Sequence, residues 1–217
     1  MRTLMTILLL LGCHAASAAS AAKTGLSASF DLTKHVVISE WMSKNWMPTQ
    51  SVGGDLTGDG LPDMAVVLLR TYTTSSEPEH PEGTRALALF VGHNSGEYRL
   101  HTRAAGILPC LYCLGSVAGI PELAKLDLEI EDQVLGVRWL QGHHDSEMAS
   151  IHLRIGYDKA KRAFHLLSDE TLTIDRIGQR HDRRLRNYQT GEVTTGNGTR
   201  VEKPRFIPLD DVDAFDF

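Results

Sequence analysis

The stretch Gly54-Asp55-Leu56-Thr57-Gly58-Asp59-Gly60-Leu61-Pro62-Asp63 runs straight into six apolar residues, Met64-Ala65-Val66-Val67-Leu68-Leu69. An unbroken apolar run of this length, bounded by turn residues, reads as a buried strand, so Met64–Arg70 is expected at the centre of a sheet. The acidic loop in front of it is rich in oxygen donors at alternate positions: Asp55, Thr57, Asp59 and Asp63 at positions one, three, five and nine, with the backbone carbonyl of Leu61 at position seven. Calcium takes about six to eight such oxygens gathered by a tight turn, and Gly60 stands at position six, where φ is positive. Two departures separate the loop from an EF-hand. Thr57 replaces a carboxylate or amide, and Val66 stands where a bidentate Glu would close the site. A strand also follows where an EF-hand continues into a helix. Three carboxylates within nine residues repel one another unless a cation lies among them, which favours a calcium site over an acidic turn that binds nothing. The role expected of the metal is to pin the turn.

Gly54–Val67 resembles the calcium loop of FG-GAP (integrin-type) repeats, in which a D-x-x-G-D-G-x-x-D run leads into a strand. It is also similar to a group of bacterial envelope proteins carrying a single such loop. In that group a C-x-x-C segment and a string of strands follow, with a late N-Y-x-T-G stretch; here these are Cys110-Leu111-Tyr112-Cys113 and Asn187–Gly191. The resemblance implies a calcium site and an extracytoplasmic address, and it implies no activity. A propeller needs repeats, and only one copy of the loop is present.

The rest of the chain is read mostly by alternation. Arg85–Gly92 and Glu97–Thr102 form a hairpin about His93-Asn94-Ser95-Gly96. Leu126, Leu128 and Ile130 alternate with Asp127, Glu129 and Glu131, and the inward set of Gln133–Leu140 is Leu135, Val137 and Trp139. Gln141–Glu147 is expected as a polar turn, and Ser150–Tyr157 as a strand with Ile151, Leu153 and Ile155 on one face. Asp158–Lys161 turns; Ala163–Ser168 and Leu172–Ile177 are two further strands; Tyr188–Val201 is a loop or hairpin. Lys34 to about Trp46 places Val37 with Trp41, and Ile38 with Met42 and Trp46, at helical spacing with Pro48 as terminator, although Val36-Val37-Ile38 also suits a strand. The fold class expected is mainly β, an antiparallel meander or sandwich-like sheet with one optional N-terminal helix.

The N-terminus reads as a signal peptide: Arg2, then the apolar run Leu4–Leu11, too short to span a bilayer. Ala16-Ser17-Ala18 and Ala19-Ser20-Ala21 suit ordinary cleavage, whereas Leu10-Leu11-Gly12-Cys13 resembles a lipobox with a lipid anchor at Cys13. The expected division is a signal peptide over 1–22, one β-rich domain over 23–205 containing the loop 55–63, and an acidic tail over 206–217. The address expected is periplasmic or secreted, with an outer-membrane lipoprotein as the alternative. No internal apolar run is long enough for a transmembrane span. The net charge of −5 over 217 residues argues against nucleic acid as a partner.

An even pair, Cys110 and Cys113, remains in that oxidising compartment, and a structural disulfide is preferred to redox chemistry because Gly115 and Gly119 disfavour the helix a redox motif needs. Zinc would need two more ligands, and only His143 and His144 offer themselves by type. The Arg-dense segment Arg176–Arg186 reads as a solvated basic face, with the tail Asp210–Phe217 folding back on it. No hydrolase elbow, zincin motif or phosphate loop occurs, so no catalytic residue is assigned. The function expected is that of a non-enzymatic extracytoplasmic protein, stabilised by calcium, that binds a protein or envelope component. An envelope hydrolase and an immunity-type inhibitor of a periplasmic toxin are the alternatives.

Overall fold

Period-two alternation becomes twelve strands among the residues described by the computed structural model, which are 45–71, 83–114, 125–144, 147–175, 180–214 and 217. They are β1 (Trp46–Gly54), β2 (Asp63–Arg70), β3 (Arg85–Gly92), β4 (Tyr98–Ala104), β5 (Asp127–Glu131), β6 (Val134–His144), β7 (Glu147–Asp158), β8 (Ala163–Asp175), β9 (Arg180–Asn187), β10 (Glu192–Thr195), β11 (Gly198–Val201) and β12 (Ile207–Pro208). They form two antiparallel sheets. The smaller has the order β1-β2-β3-β4, and the larger runs β11-β10-β9-β8-β7-β6-β5 with β12 paired to β8. The protein is mainly β, as its alternation predicts.

One face of each sheet builds the main core. Ala65 and Val67 of β2 and Leu87 and Leu89 of β3 belong to the same buried cluster as the inward residues of β6, β7 and β8. The pairs Leu135–Ile155, Val137–Leu153 and Trp139–Ile151 face one another across β6 and β7, and every member is at most 2% exposed. Each aliphatic side chain so buried contributes about 1.5–3 kcal/mol, more than any exposed polar contact. The other face of β2 and β3 is buried too: Met64, Val66, Leu68, Ala86, Ala88 and Phe90 form a second cluster with Trp46 and Tyr98. Burial on both faces is why β2 carries an unbroken apolar run.

The sheets approach each other along β1 and β5. The Gln50 side-chain amide donates to the Leu126 carbonyl at 2.8 Å. Gly54 lacks a Cβ that would stand 2.6 Å from Ile130 Cγ2, so the close approach depends on it.

Several expectations shift. Trp46 opens β1 instead of closing a helix, and Pro48 lies within that edge strand at a register shift, where a missing backbone N–H is tolerated. The rest of the predicted helix, the signal peptide and the loop 72–82 lie outside the described residues. The Gln141–Glu147 turn is shorter than expected, since β6 continues to His144 and β7 starts at Glu147. Ala163–Asp175 is a single strand paired along its length with β7 and from Ser168 onward with β9, the polar Ser168–Thr171 alternating within it. Tyr188–Val201 contains the β10–β11 hairpin. The tail is integral: Leu209, Val212 and Ala214 are buried in the main core, and the Phe217 ring lies 6.3 Å from Trp139 and 5.8 Å from the Arg186 guanidinium. Tail and Arg segment therefore do meet, through a ring on a cation. Cys110 and Cys113 form a disulfide across the short 3-10 turn Leu111–Cys113. No helix among the described residues is long and apolar enough to cross a membrane.

Candidate metal centre

The loop 55–62 is the tip of the β1–β2 hairpin, closed by the pair Gly54–Asp63. Its first and last carboxylates hold it together through backbone amides. Asp55 accepts from Gly58 N at 2.7 Å, Asp59 N at 3.2 Å and Gly60 N at 3.0 Å. Asp63, fully buried, accepts from Leu56 N at 2.8 Å and Thr57 N at 2.7 Å through Oδ2, and from Gly92 N at 3.0 Å through Oδ1. Asp63 thus ties the loop to the end of β3. Its charge, after burial, helps push the Tyr98 phenol above its ordinary pKa. Gly58 and Gly60 take φ of +69° and +85°, which fulfils the expectation for position six. Leu56 anchors the loop in the main core at 1% exposure.

The large sheet reaches the same loop. Lys159 Nζ, from the β7–β8 turn, donates to the Gly58 carbonyl at 3.0 Å, and Gln133, from the β5–β6 turn, occupies the space a Cβ on Gly58 would need. Asp132 and Gln133 both have positive φ, the requirement of a tight two-residue hairpin. Neither contact was legible beforehand, because nothing in the local sequence of either turn refers to the loop.

Asp59 is exposed, and its carboxylate accepts a single hydrogen bond among the described residues, from Leu61 N at 2.9 Å. Thr57 is 7% exposed, and its hydroxyl oxygen is buried without a hydrogen-bond partner. A carboxylate offers about four lone-pair sites, so Asp55 and Asp63, with three amides each, retain about one apiece, and Asp59 about three. Together with Thr57 Oγ1 and the Leu61 carbonyl this is an all-oxygen set, the chemistry of a hard cation. The carboxylates do not converge on one point: no group of three His, Cys, Asp or Glu among the described residues is gathered closely enough to hold a metal as it stands.

Elsewhere, a shallow trough of about 430 Å³ crosses the outer face of the large sheet, with Glu129, His152 and Glu170 among its lining. His152 Nε2 lies 3.9 Å from Glu129, and Glu170 is paired with Arg183. Burial, then Arg138, lowers the His152 pKa below its ordinary 6.5. These are cross-strand contacts of a solvated face. The side chains of His143 and His144 lie outside the described residues.

No family model and no curated protein matches the sequence. Among solved structures, the chain is similar to the crystal structure of a protein with unknown function from Bacteroides fragilis NCTC 9343. That likeness is at 10% identity over 75% of this chain and 96% of that one, with a TM-score of 0.23. So loose a match assigns neither fold nor function.

Proposed function

We propose that the loop 55–63 is a calcium site and that the protein is a non-enzymatic, extracytoplasmic binding protein whose surface calcium helps to hold in shape. Asp55, Thr57, Asp59, the Leu61 carbonyl and Asp63 would hold the ion. The observation behind this reading is the buried, unpartnered Thr57 hydroxyl inside a loop whose other free oxygens are carboxylates. A buried hydroxyl without a partner costs about 1–3 kcal/mol, and ligation offsets that. Bound calcium supplies positive charge against the three loop carboxylates. The chain's own residues do the rest: the amides of residues 58–60 aim Asp55, and those of Leu56, Thr57 and Gly92 lock Asp63. Lys159 couples the loop to the turn of the large sheet. The partner in this reading is a protein or envelope component engaged through strand surfaces and loops.

Asp59 is the clean probe, because its loss removes a ligand and spares the amide framework. Calorimetric titration with calcium, alongside thermal unfolding, should show binding and a raised Tm in the parent and neither in Asp59→Ala. A parent that neither binds calcium nor gains Tm would overturn the reading.

A further inference from the structure

The large sheet ends in an exposed hairpin. β11 is its edge strand, and every residue from Gly198 to Val201 is exposed. The last ladder pair of the hairpin is Thr195–Gly198, and Gly196-Asn197 joins the two strands beyond it. Asn197 N donates to Thr195 Oγ1 at 3.3 Å, while the Asn197 side-chain amide makes no hydrogen bond among the described residues. Gly198 has φ of +122°, and a Cβ there would meet nothing within 4 Å.

An asparagine followed by glycine is chemically labile. The Gly198 amide nitrogen, once it has lost its proton, can attack Asn197 Cγ. An N–C bond forms, the bond from Cγ to the side-chain nitrogen breaks, and that nitrogen leaves as ammonia, carrying a proton in place of the one lost. Water then opens the resulting succinimide at either carbonyl, giving aspartate or isoaspartate. A side chain on the following residue shields the attacking nitrogen, and glycine has none. Opening the terminal Thr195–Gly198 pair lets the nitrogen swing round to Cγ, and local opening costs little at an exposed hairpin tip. The other three asparagines are held or shielded. Asn45 is 9% exposed and precedes Trp46. Asn187 precedes the buried Tyr188, and its Oδ1 accepts from Gln189 N at 3.0 Å and Thr190 N at 3.1 Å. Asn94 is exposed in the β3–β4 turn but precedes Ser95, whose side chain stands in the way.

We propose that Asn197 is a site of spontaneous deamidation, Gly198 N displacing its side-chain ammonia, so that the free edge of the large sheet gains a carboxylate as the protein ages. In the isoaspartate product the main chain runs through Cβ and Cγ. The longer connection disturbs the Thr195–Gly198 pair and the Thr194–Thr199 hydroxyl contact at 3.0 Å. β11 buries no side chain, so the core is spared. A charge on an edge strand also opposes pairing with a further strand. The site is independent of any metal at the Asp55 loop.

The test ages the full-length protein in mildly alkaline buffer at physiological temperature and digests an unaged sample alongside. Asn187 and Asn197 share the tryptic peptide 187–200, so fragment-ion sequencing locates the change. Asn197 should exchange ammonia for water at least about tenfold faster than Asn45, Asn94 or Asn187, a barrier lower by about 1.4 kcal/mol. Isoaspartate should accompany aspartate at this position, and the rate should rise with pH, because the attacking nitrogen must lose its proton. Gly198→Ala should slow the conversion about tenfold even where strain at positive φ loosens the hairpin, since the shielding is local. An unchanged Asn197, conversion as fast at Asn94, or an equal rate in Gly198→Ala would each overturn the proposal.

Discussion

Replacing Asp63 with Asn separates the framework role of this residue from any role as a metal ligand. The carboxylate is fully buried and accepts from Leu56 N, Thr57 N and Gly92 N at 2.7–3.0 Å. In Asn one of the two oxygens becomes an NH2 donor. With its oxygen toward Leu56 and Thr57, the variant keeps two bonds and sets the NH2 against the Gly92 N–H, donor to donor. The flipped rotamer loses two bonds, so the first is the better one. Leaving the Gly92 amide buried and unpaired costs about 1–3 kcal/mol, and the two surviving bonds fall from the charged to the neutral range, about 1 kcal/mol each. The expected loss is therefore about 3–5 kcal/mol, a large part of the stability of an ordinary domain.

Urea unfolding of parent and Asp63→Asn, both in EDTA, measures this directly, and hydrogen exchange should show lost protection at Leu56, Thr57 and Gly92. Asp59→Ala under the same conditions should lie within about 0.5 kcal/mol of the parent, since its one bond is exposed. If Asp63→Asn loses less than about 1 kcal/mol in EDTA, the buried amide network does not hold the loop, and the reasoning from it fails.

Two further outcomes follow from the geometry. His165, stacked on Phe206 at 4.6 Å, has its pKa lowered from 6.5 chiefly by burial, and that of His152 is lowered likewise. A depressed folded-state pKa means the unfolded chain takes up protons first, so stability present above pH 6.5 is lost as pH falls below it. His165→Phe should fall less steeply than the parent in urea unfolding between about pH 7 and about pH 5; an unchanged slope would refute this. The Cys110–Cys113 disulfide closes a loop with a sequence separation of 3, so reduction should cost only about 1–2 kcal/mol, as read from the Tm with and without reductant.

The strands were legible where one face is buried and the other wet. Leu135, Val137 and Trp139 announce β6 because Arg138 between them faces water. Legibility failed where tertiary pairing overrides local pattern. Ser168, Asp169, Glu170 and Thr171 look like a break between two strands, yet β8 runs through them, because Asp169 turns inward to Arg186 and Glu170 outward to Arg183. The tail misled for a related reason. Its acids, Asp210, Asp211 and Asp213, are exposed, but Leu209, Val212 and Ala214 between them enter the core. Six residues of mixed character are too few for their period to stand out from a charged tail.

At the candidate metal centre the residue types were legible and their division of labour was not. A loop motif counts side-chain oxygens and treats Asp55, Asp59 and Asp63 as equivalent. The folded loop makes them unequal, because Asp55 and Asp63 each accept three backbone amides while Asp59 accepts one. Every non-proline residue carries an amide, so the sequence has no mark for which amides will point inward. That is set by the positive φ at Gly58 and Gly60 and by the register that brings Gly92 beside Asp63. The consequence is a ranking that a motif alone could not supply. Substitution at Asp63 should unfold the loop with or without calcium, whereas substitution at Asp59 should matter only when calcium is present. A loop in which both positions answered to calcium alike would be held by the ion and not by its own backbone.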